Sequence, residues 1–180
     1  MLFLATNLSG IKKFYCFLFI HWILFPWQTG APEEACDDLL PAGHEDAEAK
    51  TDKPFEIYTD HRSYGLGDLI TVSVGKTDTA RSTDGFRGFL VVAREANDLN
   101  GDNIGSFQSN SDETAKTLKC KTPASAMTHT NLDLKDNVSF SWSPGETFVG
   151  DIVFVGTIVR NFTEYYAGVK SSTIKITWDS

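Results

Sequence analysis

Ten residues, Gly85-Phe86-Arg87-Gly88-Phe89-Leu90-Val91-Val92-Ala93-Arg94, restrict the fold more than any other stretch of this chain. Phe89 to Ala93 are consecutively apolar, with glycine before them and Arg94-Glu95 after. A short apolar run bounded in this way and rich in β-branched and aromatic residues reads as a strand buried on both faces. Such a strand needs neighbours on both edges and a layer above and below it. The rest of the chain is therefore expected to supply strands.

It does so at regular intervals. Phe55-Glu56-Ile57-Tyr58 alternates as a half-buried strand. In Leu69-Ile70-Thr71-Val72-Ser73-Val74, Ile70, Val72 and Val74 are expected to point inward and Thr71 and Ser73 outward. Ile104 to Phe107 reads as a short edge strand, and Thr117 to Lys121 as a strand carrying Cys120. Val138-Ser139-Phe140-Ser141-Trp142 puts Val138, Phe140 and Trp142 on one face. Ile152 to Val159 is the second continuous apolar run and is also expected to be central. Tyr165 to Val169 and Thr173 to Trp178 close the series. His61 to Gly67 reads as turn-like, Thr128-His129-Thr130-Asn131 as the approach to a turn, and Glu45 to Lys50, without an apolar face, as loop. No segment has a 3.6-residue period. Seven or more short strands with turn signals about every ten residues describe an all-β sandwich.

The first thirty residues stand apart. Lys12-Lys13 precede an almost wholly apolar Phe14 to Trp27, and small residues follow at Thr29-Gly30-Ala31. This is the layout of a secretory signal peptide, with an uncleaved anchor as the alternative. The apolar core is short of the roughly 20 residues that a membrane span needs. Residues 1–30 are read as the signal peptide and 31–180 as one domain. Removing the leader leaves 14 basic against 24 acidic residues, a net charge of −10. That field repels phosphate backbones and argues against nucleic acid as a partner. Cys16 departs with the leader. Cys36 and Cys120 remain and are expected to form a disulfide in an oxidising compartment, two free thiols being the alternative.

The residues also carry a resemblance. Cys36, Pro41-Ala42-Gly43-His44, Tyr64-Gly65-Leu66-Gly67-Asp68, Phe86 to Arg94, Gly105-Ser106-Phe107, Cys120, Thr128-His129-Thr130-Asn131, Val138 to Trp142 and Val153 to Val159 follow one another in a known order. Over about residues 31–178 the chain resembles the Reeler domain, found at the N-terminus of reelin and F-spondin and in small secreted insect defence proteins. The resemblance implies an immunoglobulin-like β-sandwich. It also implies a secreted innate-immune, antibacterial role in which a non-catalytic module binds microbial surface polymers such as lipopolysaccharide or glucan. The alternative it implies is adhesion to host matrix or the hemocyte surface. Some relatives join this domain to membrane haem segments, which gives a weaker third reading as a redox-linked protein. The domain is expected to be monomeric and to need no cofactor.

The individual motifs are mostly structural. His44, His61 and His129 accompany no G-x-S-x-G, H-E-x-x-H or P-loop, so no catalytic set is named. Asp98, Asn100 and Asp102 have the spacing that opens a calcium loop, but Gly101 and the missing acidic twelfth position break the pattern, and the stretch reads as a turn. Asn137-Val138-Ser139 and Asn161-Phe162-Thr163 are sequons expected to carry N-glycans. Tyr58, Tyr64, Tyr165 and Tyr166 invite a sugar-stacking reading, against core packing as the plainer one. Arg87, Arg94 and Arg160 either gather into a patch for anionic polymers or cap strand ends facing solvent.

Overall fold

The computed structural model describes residues 29–44, 47–50, 54–111, 113–146, 148 and 150–177. The apolar leader from Phe14 to Trp27 and Trp178 lie outside them. Among the described residues no helix is long and apolar enough to cross a membrane. The strands are β1 (Glu48–Ala49), β2 (Phe55–Thr59), β3 (Ser63–Tyr64), β4 (Ile70–Lys76), β5 (Gly88–Glu95), β6 (Ser106–Ser109), β7 (Ala115–Cys120), β8 (Thr122–His129), β9 (Asn137–Ser143), β10 (Ile152–Asn161), β11 (Glu164–Lys170) and β12 (Lys175–Ile176).

Two main sheets form. One has the order β1-β11-β10-β5-β8-β7, the other β2-β4-β9-β6, and β12 pairs with β3 beside them. All pairings in the two main sheets are antiparallel except β1 with β11. The two apolar runs lie side by side at the centre, with Phe154 opposite Ala93 and Val155 opposite Val92. The chain is thus an all-β sandwich, and its central pair is the one the apolar runs announce.

Strand alternation sorts the side chains of this pair. Phe89, Val91, Phe154 and Ile158 enter the core between the sheets, and Leu90, Val92, Val153 and Val155 form a second cluster on the outer face. The inner core is strongly aromatic. Phe89 stacks on Phe140 at 5.8 Å, and Phe140 meets Phe107 edge-on at 5.7 Å. Trp142 meets Phe154 at 5.4 Å and Tyr64 at 5.8 Å, all within the range in which aromatic pairs attract. The indole N–H of Trp142 donates to the Ile104 carbonyl at 3.0 Å, so its one polar atom is satisfied.

The structure departs from the sequence reading in four places. Thr122–His129 is a full strand, not only the approach to a turn. Glu48–Ala49 forms a strand through parallel pairing with β11. Tyr64 lies in a strand and is buried, with its hydroxyl donating to the Gly150 carbonyl at 2.5 Å. Ser73 is buried rather than exposed; it sits in register between Tyr58 and Ser139, and its hydroxyl shares a 2.8 Å hydrogen bond with that of Ser139.

Phe140 touches rings from both sheets, so Phe140→Ala is expected to lower the unfolding free energy by about 3–5 kcal/mol in a denaturant titration. A loss below about 1 kcal/mol would show that this ring is peripheral.

Candidate functional site

The outer face of the six-stranded sheet is closed by the N-terminal arm. Pro32 starts a single 3-10 turn over Glu33–Cys36, with Ala35 N–H donating to the Pro32 carbonyl at 3.2 Å. Cys36 is joined to Cys120 at the end of β7, their Cα atoms 5.6 Å apart. Ala35, Cys36 and Leu39 then pack on Leu90, Val92, Val153 and Val155. The start of the arm is held as well: Ala31 N–H donates to the Thr128 hydroxyl at 2.9 Å. Gly30 has φ +123°, and a Cβ there would lie 2.8 Å from the His129 carbonyl oxygen, so this entry point needs glycine.

Between arm and sheet a cleft of about 80 Å³ remains. Its walls include Ala35, Leu39, Pro41, Leu90, Thr157 and Val159. Leu40 and Leu132 line it and are 44% and 42% exposed, so they form a rim. Thr157 lies within the β10 run and is 3% exposed. Among the described residues, its hydroxyl is the buried side-chain polar atom without a hydrogen-bond partner. An unpaired buried hydroxyl costs about 1–3 kcal/mol. The residue was not singled out from sequence, although a threonine inside an apolar strand run is a visible signal.

The rim continues outward. The His44 ring lies tilted against that of Phe162, centroids 5.1 Å apart, and its Nδ1 bonds the Phe162 carbonyl at 2.8 Å. Phe162, at the tip of the β10–β11 hairpin, is 57% exposed, as is Leu134 in the β8–β9 loop. Arg87 is exposed, and its guanidinium donates to the Leu132 carbonyl at 2.8 Å. Lys135, also not anticipated, is buried and staples this loop. Its ammonium reaches the carbonyls of Arg87, Asn131 and Asp133 at 2.7–3.1 Å. Burial lowers its pKa, and the nearby Asp133 carboxylate opposes that shift.

The other predicted residues are dispersed. Arg94, at the opposite end of β5, is buried and turned onto the 97–103 loop, donating to Leu99 O and to Asn103 Oδ1. It does not face solvent. Arg160 pairs with Asp84 at 2.9 Å and Glu164 at 3.3 Å. The Asp84 carboxyl is held below its ordinary pKa first by the Arg81 backbone N–H, then by the Arg81 and Arg160 charges. The three arginines do not form one patch. Of the tyrosines, Tyr64 and Tyr166 are buried. Burial raises the pKa of both, to about 12. Tyr58 and Tyr165 stand on different sheets. Asp98 accepts from Asn100 N–H, and Asp102 pairs with Lys121 at 3.0 Å, so both serve the turn and its anchoring. Among the described residues no group of three or more His, Cys, Asp or Glu is placed to hold a metal ion.

The described histidines hydrogen-bond local groups. His61 bonds Asp60 at 2.7 Å. His129 Nδ1 accepts from Phe89 N–H at 3.2 Å, and the neighbouring Thr128 hydroxyl donates its proton to the Phe89 carbonyl at 2.7 Å.

Residues 34–180 match the family described as the Reeler domain. This chain belongs to the Reeler family. Its relatives include the "Putative defense protein" of Bombyx mori, 34% identical over 153 residues, which span 82% of this chain and 84% of that one. A similarly named protein of Hyphantria cunea is 34% identical over 155 residues, 83% of this chain and 88% of its own. Human ferric-chelate reductase 1 is 27% identical over 92% of this Reeler chain, but over only 27% of its own length. Among solved structures, the Reelin-N domain of F-spondin superposes with a TM-score of 0.59 at 16% identity, over 76% of this chain and 96% of that one. The human F-spondin reeler domain gives 0.58 at 17%, over 74% and 96%. These two confirm the fold of the Reeler domain.

The two sequons differ in setting. Asn161 Oδ1 accepts from the N–H and hydroxyl of Thr163 at 2.9 and 3.0 Å, leaving the amide nitrogen on an exposed hairpin. Asn137 Oδ1 instead accepts from the Tyr58 hydroxyl at 2.9 Å, and its amide nitrogen bonds Ser139 at 3.3 Å. Both asparagines are exposed, so Asn161→Gln and Asn137→Gln are each expected to remove one glycan mass from the protein made in a eukaryotic secretion host. Thr157→Val, which deletes the unpartnered hydroxyl at constant volume, is expected to raise the unfolding free energy by about 1 kcal/mol in urea. A loss of stability would show that the hydroxyl has a partner.

Proposed function

We propose that this Reeler domain is a secreted defence protein that binds microbial surface polymers without catalysis. Relatives of nearly the same length carry defence names, which supports the role. The observation that favours a ligand class is the end of the sandwich where Leu40, Leu132 and Phe162 stand exposed around the cleft mouth, with the Arg87 cation beside Leu132. Exposed apolar side chains gathered in one place mark interaction surfaces. On an otherwise acidic protein, an apolar rim with a cation suits a polymer that presents both phosphate and acyl chains. Lipopolysaccharide fits that description better than glucan, which offers hydroxyls alone.

The protein produced from the full-length sequence is incubated with whole Gram-negative bacteria, fungal glucan, host matrix extract and hemocytes, and the fraction that pellets is measured. Retention on bacteria, competed by soluble lipopolysaccharide, is the expected result. The double variant Leu132→Asp/Phe162→Asp is expected to reduce retention at least about fivefold while its thermal unfolding stays unchanged, because charge on the rim opposes acyl contact. Retention on host matrix or hemocytes alone overturns this reading in favour of adhesion, and retention on none of the four overturns both.

A further inference from the structure

We infer that the first sugar of an N-glycan on Asn137 packs against the Tyr58 ring, so that this glycan covers one corner of the outer face of the four-stranded sheet as an ordered part of the fold. This rests on glycosylation of the Asn137-Val138-Ser139 sequon and not on polymer recognition by the exposed rim.

The cross-strand register sets the geometry. Tyr58, Ser73 and Ser139 form one row across β2, β4 and β9, and Glu56, Gly75 and Asn137 form the next. The Tyr58 side chain leaves its own row: its hydroxyl reaches across Gly75 and donates to Asn137 Oδ1 at 2.9 Å. Gly75 makes this approach possible. Its backbone is not left-handed, yet a Cβ there would lie 2.7 Å from Asn137 Oδ1 and 3.1 Å from the Tyr58 ring. An aromatic ring laid over a strand glycine shields it, but phenylalanine would do that equally well. The hydroxyl is what holds the carboxamide of the sequon. Glycosylation uses that carboxamide. Transfer from a lipid-linked oligosaccharide diphosphate replaces one Nδ2–H bond of Asn137 by a bond to sugar C1, the diphosphate leaving and the proton passing to base. The product is a planar secondary amide, and its favoured trans form sets C1 on the same side of the C–N bond as Oδ1, which is the side Tyr58 occupies. One N–H remains for the 3.3 Å bond from Nδ2 to the Ser139 hydroxyl. The sugar is thus directed toward the tyrosine. There it meets available surface: Tyr58 is 42% exposed and Asn137 is exposed, whereas Ser73 and Gly75 beneath them are buried. A pyranose presents an apolar C–H face, and laying it on the ring removes apolar surface of both from water. Because the sugar is tethered, it meets the ring at high effective concentration. The Lys76–Asp136 ion pair at 2.8 Å ties the end of β4 to the start of β9 beside the anchor, so little remains to be ordered. Asn161 lacks this frame, its carboxamide being turned onto Thr163 of its own sequon.

The test uses the protein made from the full-length sequence with Asn161→Gln, so that Asn137 is the remaining sequon of the domain. It is produced in a eukaryotic secretion host and in the bacterial periplasm, which gives one polypeptide with and without the Asn137 glycan. NMR of the glycosylated form is expected to show Overhauser contacts between the Tyr58 ring protons and the first N-acetylglucosamine. The glycosylated form is expected to unfold about 2–4 °C above the bare one. With Tyr58→Ala added, the glycan is expected to remain attached while this difference falls below about 1 °C. Comparing the two forms of the same variant cancels whatever stability the ring itself supplies. No glycan mass on Asn137, no contact between ring and sugar, or an equal gain in the Tyr58→Ala protein overturns the inference. Ring–sugar contacts without retention on bacteria sink only the polymer reading; retention on bacteria without those contacts sinks only this one.

Discussion

The central pair, β5 and β10, is apolar on both faces, and everything else in the structure answers to that. A sandwich covers one face of each sheet. The other face of an antiparallel sheet is ordinarily left to solvent and reads as polar. Here Leu90, Val92, Val153 and Val155 point away from the sandwich core and are nevertheless buried. Their cover is the arm from Gly30 to His44, which is too short to hold itself in place by packing alone. The Cys36–Cys120 bond, the hydrogen bond from Ala31 N–H to Thr128 and that between His44 Nδ1 and the Phe162 carbonyl fix it at three points. On the other side the sheet rests on the aromatic core, where Phe89, Phe140, Phe107, Phe154 and Trp142 form a continuous set of ring contacts.

A cover laid across a sheet is less complementary than a sheet packed on a sheet. The space left over collects at one end, under Leu39 and Leu40, and there the strand carries a hydroxyl where an aliphatic residue would pack. The same end gathers the β8–β9 loop, held rigid by Lys135, and the β10–β11 hairpin tip, held by His44. A stable scaffold thus presents an apolar cleft and an apolar rim together, which is where loops on a rigid framework usually carry function. Arg94, Asp98 and Asp102 at the other end are occupied with holding their own loop.

The sequence was legible where burial is expressed through large apolar side chains. Phe89–Ala93 and Ile152–Val159 announce the central pair, and Val138, Phe140 and Trp142 announce the inner face of β9. It was opaque where burial falls on small or polar residues. In β8, Ser125, Ala126, Thr128 and His129 are all buried, yet they present neither an apolar run nor clean alternation. Their burial comes from the arm above and β5 beside them. In β1, two residues become a strand only because β11 offers a free edge. Tyr64 looks like part of a glycine-rich turn because its partner, Ile176 in β12, lies far along the chain. For the site, the cysteine pair was readable by counting. The cleft was not, because its walls come from the arm, β5, β8 and β10, brought together by folding. Thr157 was not singled out either, although a threonine inside an apolar strand run stands in the sequence.

The arm acts as a pinned cover over the outer face of β5 and β10. The most direct measurement compares the parent with Cys36→Ala/Cys120→Ala for binding of the apolar dye ANS and for unfolding in urea. The variant is expected to keep its strand content but to bind the dye strongly, as the outer face of β5 and β10 opens, and to lose about 2–5 kcal/mol of stability. Unchanged dye binding with unchanged stability would contradict it, because the outer face would then be covered without the bond that is said to hold its cover.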